Sequence, residues 1–99
     1  MTTGKSVIDE LNKQIGHFET AYQDGLGDLE MQKYAKIVFG IIDEETKIAR
    51  NKGNDTMKEE LFKKRIAFAR RMKIVSRACH APSLDQLCDE FEKKYGMPL

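Results

Sequence analysis

The sequence predicts an all-α fold, an antiparallel helical bundle of three long helices plus a short C-terminal fourth helix. Three observations carry that expectation. Apolar residues recur at intervals of three and four through most of the chain, the spacing that lines one face of a helix. The only two prolines, Pro82 and Pro98, fall near the end, leaving most of the chain free of the strongest helix breaker. Short turns rich in Gly, Asn and Asp divide what remains, and turns of a few residues make consecutive helices antiparallel neighbours.

Helix one is expected over residues 7–24. Ser6 followed by Asp9 resembles a capping box, with a hydroxyl and a carboxylate serving the free N–H groups of the first turn. Its apolar residues, Ile8, Leu11, Ile15, Phe18 and Tyr22, form a narrow stripe that can bury against only one or two neighbours. Asp24-Gly25-Leu26-Gly27-Asp28 closes it. Gly25 suits the left-handed position after a helix, Leu26 can fold back on the last turn, and Asp28 is placed to cap the next helix.

Helix two is expected over residues 29–51, with Met31, Tyr34, Ala35, Val38, Ile41, Ile42, Ile48 and Ala49 on a broad apolar face. Residues 51–55 form the next turn, and Thr56 with Glu59 makes a capping box for helix three, expected over 57–80. Pro82 stops that helix, because the residue before a proline is driven out of helical geometry. Ser83 with Gln86 makes a third box, opening a short helix over 84–95 with Leu84, Leu87, Cys88, Phe91 and Tyr95 on one face and Gly96 at its close.

Ninety-nine residues, 40% hydrophobic and 33% charged, fit one globular domain, residues 1–99. The longest apolar run, residues 37–42, is far short of the ~20 residues a bilayer span needs, so no membrane segment is expected. The N-terminus lacks the apolar core of a signal peptide. Two cysteines in such a chain read as buried thiols of a reducing compartment, and the cytoplasm is the expected location.

The net charge of +1 conceals segregation. Residues 57–80 hold eight basic side chains against Glu59 and Glu60, a net of +6, which leaves −5 for the rest of the chain. On a helical wheel Lys63, Arg70 and Arg77 fall seven residues apart, opposite the apolar face of Met57, Leu61, Phe68, Met72, Val75 and Cys79, with Lys73 beside them. Either this edge is solvated and balanced by acidic neighbours, or it docks something anionic.

Helix three also has more apolar residues than one face holds. Phe62, Ile66 and Ala69 make a second strip, and Ala67, Ile74 and Ala78 a third. A helix apolar round most of its circumference is expected to be surrounded, with helix three in the middle of the bundle or partly covered by a second copy. Phe39, off the centre of its own apolar face, joins Phe62 and Ile66 as a candidate oligomer surface, and a two-fold dimer is the expected form.

Glu45 continues the apolar spacing of helix two. A carboxylate there calls for a cation, and a structural ion pair with Arg65 or Arg71 across an antiparallel contact is expected. Gly16 and Gly40 lie on polar sides of helices, where glycine costs ~1 kcal/mol relative to alanine. They read as tolerated drift, or as points of bending or close approach. Cys79, Cys88, His17 and His80 are the only soft ligands, and their spacings match no structural zinc site, so no metal is expected. No phosphate-binding loop, nucleophile elbow or paired Glu-x-x-His motif is present, so neither an enzyme nor a cofactor is expected. The reading that results is a small non-enzymatic interaction or regulatory protein. It docks on a larger, acidic protein partner through Lys63, Arg70, Lys73 and Arg77. A nucleic-acid-binding regulator using the same helix is the alternative, although the near-neutral total charge argues against it.

Overall fold

A computed structural model describes the backbone of residues 4–99 and the side chains from Val7 onward. The chain folds into α1 (Gly4–Gln23), α2 (Asp28–Lys52), α3 (Asp55–Cys79) and α4 (Pro82–Tyr95), with no strand among the described residues. The all-α bundle expected from periodicity is the fold observed.

The turns follow from local chemistry. After α1, Gly25 takes φ 64° while the Leu26 N–H bonds to the Ala21 carbonyl and the Gly25 N–H to that of Tyr22. This paired pattern satisfies carbonyls that the helix end leaves free. Gly53 closes α2 in the same way. At the end of α3 the left-handed position falls to His80, φ 50°, and the Ala81 N–H returns to the Ser76 carbonyl. Ala81 is then extended, as a residue before proline must be, and Pro82 opens α4 at the position where its missing N–H costs nothing.

The helix starts depart from expectation. Helix α1 begins at Gly4, which sets Ser6 inside the helix, and the Ser6 side chain lies outside the described residues. Asn54, not Thr56, caps α3, its side chain accepting from the Met57 N–H at 3.1 Å. Asp28 does not cap its own helix. Its carboxylate reaches across the molecule to accept from the Ser83 and Leu84 N–H groups at 2.8 and 3.2 Å, capping α4 in place of the expected Ser83–Gln86 box.

The packing corrects the place of helix three. Helix α2, not α3, is the principal hub: it carries most of α1 and packs on both α3 and α4, while α1 leans mainly on α2 and does not touch α4. The α2–α3 hairpin is thus a middle layer, with α1 on one face and α4 on the other. Leu11, Phe18, Val38, Ile42, Leu61, Met72, Val75 and Leu84 are fully buried between them. Phe68 is the junction. Its ring stands edge-on to Phe18 of α1 at 5.0 Å and to Phe39 of α2 at 5.3 Å, and Phe39 continues to Phe91 of α4 at 5.6 Å. No described residue covers its outer side, and α3 leaves Ala67, Ile74 and Ala78 exposed, Ile74 by 59%.

Cover is unequal on the two faces of the hairpin. Helix α4 has 14 residues against 25 in α2 and in α3, so at 1.5 Å per residue it spans little more than half their length. It ends beside Asp43 and Arg65, and past it the hairpin end is bare. Phe62 lies there, 49% exposed.

Candidate functional site

The outer edge of α3 is where the sequence placed its docking strip. Lys63, Arg70 and Arg77 are exposed there, one above another. Lys63 is engaged by Glu59 at 3.4 Å, a neighbour one turn back, in a pair too exposed to hold it firmly. Arg70 and Arg77 have no ion-pair partner among the described residues. Ile74 lies between them in sequence, on the flank of the same edge that faces α1, with Ala67 and Ala78 alongside.

Lys73 does not belong to the strip. It is turned under towards α4, where its side chain is only 19% exposed and its ammonium meets Glu92 at 3.7 Å. The free basic edge therefore consists of two arginines, a neutralised lysine and an exposed isoleucine.

The expected ion pair of Glu45 does not form. Arg71 instead forks onto Glu19 of α1, Nε and Nη2 each donating at 2.8 Å, with its guanidinium 5.5 Å above the Tyr22 ring. The hydrogen bond from Arg71 to Glu19 raises the arginine above its ordinary range. Arg65 goes to Asp43, two residues before Glu45 on α2, at 3.2 Å. Asp43 is a hub: it also accepts from Lys94 at 3.1 Å and from the Tyr95 hydroxyl at 2.9 Å. Arg65 stacks 4.6 Å over the Tyr95 ring, and its Nε is buried without a hydrogen-bond partner. Lys94 is raised by its bond to Asp43. Both pairs pin a flanking helix onto the hairpin, which is a structural role.

Phe39 corrects another expectation. Rather than facing solvent, it is half-buried and forms the floor of a groove of about 320 Å³ between α2 and α4. Leu87, Phe91 and Tyr95 complete the apolar lining, Gly40 forms an open wall, and Lys36 and Glu90 stand on opposite rims. Ile66 is half-buried, and of the three residues assigned to an oligomer surface only Phe62 is broadly exposed.

Among the thiols, Cys88 is buried on the inner face of α4, and burial pushes it up to about 11. Cys79, expected in the core, is exposed at the end of α3, where the chain has already left the cover of its neighbours. Beside it, His80, Asp28, Gly25 and Gly27 border a hollow of about 190 Å³ between the two turns. Among the described residues no three His, Cys, Asp or Glu side chains are placed to hold a metal, and no helix is long and apolar enough to cross a membrane.

Three features escaped the sequence: the Asp28 clasp, the Asp43 hub and the α2–α4 groove. Each depends on which residues of different helices meet, and the only hint was Gly40, a costly residue at a solvent-facing helical position. Comparison with protein families, curated proteins and solved structures finds no match to this chain.

Proposed function

We propose that this chain is a small non-enzymatic interaction protein that docks on an acidic, amphipathic surface of a larger protein through the outer edge of α3. The observation that carries this reading is the pairing of Arg70 and Arg77, exposed and without ion-pair partners among the described residues, with Ile74, which is 59% exposed beside them. Charge alone is a solvated face; charge flanking an exposed branched apolar side chain provides both steering and an anchor that gains by burial. Lys63 extends the edge once Glu59 yields it to a better acid, whereas Lys73 is committed to Glu92. A cytoplasmic setting is part of the proposal, supported by the exposed free thiol of Cys79.

A nucleic-acid backbone is the poorer fit, because Ile74, Ala67 and Ala78 give phosphates nothing and only two unengaged cations remain. A two-fold contact through this same edge would set Arg70 and Arg77 against like charges, so self-association belongs on another face.

The test is an NMR titration with a helical peptide carrying glutamates on either side of a leucine stripe. Amide shifts are expected along residues 67–78 of α3, weakening as salt rises, and vanishing in the Arg70→Glu/Arg77→Glu double variant. Shifts that survive the charge reversal, or a mixed-sequence DNA duplex that moves the same amides more strongly than the peptide, overturn the reading.

A further inference from the structure

The α2–α4 groove and the exposed Phe62 lie on one continuous band of surface. The groove, lined by Phe39, Gly40, Asp43, Leu87, Phe91 and Tyr95, opens at Gly40, Asp43 and Lys94 into a second depression that runs past the end of α4. That depression in turn shares Thr46, Arg50 and Arg65 with a third, of about 440 Å³, bordered by Phe62. The band follows one flank of α2 from Lys36 to Arg50, with an apolar hollow at one end and an apolar projection at the other.

A surface with a hollow at one end and a matching projection at the other is complementary to itself turned by half a revolution. We propose that the chain forms a two-fold dimer in which Phe62 of each protomer seats in the α2–α4 groove of its partner. The axis passes near Asp43, whose charge Arg65 and Lys94 offset within each protomer, and each α2 flank runs antiparallel to that of the partner.

Three observations select a second copy as the occupant. The hollow is floored by Phe39, Phe91 and Leu87, and an aromatic ring is the side chain that fills and stacks in such a site. Gly40 sits at the crossing, exposed in mid-helix, and a Cβ there meets nothing within 4 Å, so nothing inside the protomer accounts for its being glycine. A partner backbone approaching closely does.

The charges also match by halves. Lys36 and Glu90 on the groove rims have no ion-pair partner among the described residues, nor does Arg50 at the other end. Half a turn brings Lys36 towards the partner's Asp55 and the partner's Glu59, which in the protomer are held only by exposed pairs with Lys58 and Lys63, and Glu90 towards the partner's Arg50. This is the reciprocal contact that two-fold interfaces require, and none of it uses Arg70 or Arg77.

Sedimentation equilibrium tests the proposal at about 100 µM, a concentration that detects even weak two-fold contacts. Twice the 11.4 kDa of one chain is expected. Phe62→Asp and Gly40→Trp are each expected to return the monomer mass with helicity unimpaired, since one position is half-exposed and the other open. In the unaltered protein, isotope-filtered NOEs in a mixed-label sample are expected between the Phe62 ring and the partner's Leu87. A monomeric wild type, a dimer that survives either substitution, or NOEs that link other faces overturns it. Arg70→Glu/Arg77→Glu is expected to leave the mass at the dimer value, so this proposal and the docking of an acidic partner fail separately.

Discussion

The two faces of the α2–α3 hairpin are built from the same two helices and are covered very differently. On one, α1 runs along 20 residues, clamped by Arg71 on Glu19 and by Lys64 donating to Asn12 at 3.0 Å. On the other, α4 runs for only 14, held at its start by Asp28 and at its end by Asp43. Apolar side chains that α1 covers are spent on folding. Those beyond the end of α4, Phe62 foremost, are left over. The uncovered end of the hairpin thus follows from the length of a covering helix, and the basic outer edge of α3 from its composition.

Substitutions at the two phenylalanines of α3 set the comparison at its sharpest. Phe68, in contact with both Phe18 and Phe39, binds the two faces together, so Phe68→Ala is expected to cost about 3–5 kcal/mol in urea unfolding. Phe62→Ala, at a side chain 49% exposed, is expected to cost less than about 1 kcal/mol to the protomer. Equal losses at the two positions would show that the bare end is packed after all.

The α4 face also carries a pH limb in the alkaline range. The Cys88 thiol is raised from 9.0 to about 11 by burial, so the folded chain holds its proton more tightly than the unfolded chain does. That contribution is complete below pH 9 and is lost as pH rises through about 11, amounting to about 3 kcal/mol at most. Thermal melts of wild type and Cys88→Ala should converge between these values; a constant gap across the window would remove the thiol as the cause.

A smaller effect than at Phe68 is expected at the clasp. Asp28→Ala leaves two N–H groups at the start of α4 without an acceptor and should cost about 1 kcal/mol. Hydrogen exchange at Ser83 and Leu84 should quicken while α1 is unchanged. Loss of protection spread evenly over both covering helices would mean that the faces are not independent.

Sequence periodicity located all four helices to within three residues at each end, because burial of one face is recorded in spacing. It read the glycine turns at Gly25, Gly53 and Gly96, where backbone geometry demands that residue, and passed over the left-handed turn at His80, which a side chain tolerates at some strain. Caps were legible only as residue types. Asp28 is an acceptor at a helix start in the sequence as in the structure, but which helix it serves depends on how α2 and α4 are set side by side. The same limit explains Glu45: its place on the wheel of α2 is right, yet the register against α3 brings Arg65 to Asp43. Apolar excess on α3 is visible too, but whether the bundle or a second copy covers it is not, because spacing records how much apolar surface a helix has and not what lies over it.

The Asp28 clasp has a consequence for the order of events in folding. Helix α4 lacks a side-chain cap of its own, and the carboxylate that serves it comes from 55 residues earlier in the chain. Short helices without such support are marginal in water. Helix α4 therefore consolidates only after the first turn of α2 is in place beside the end of α3. The hairpin nucleates and α4 is its last addition, so substitutions in α4 should speed unfolding and leave the refolding rate nearly untouched.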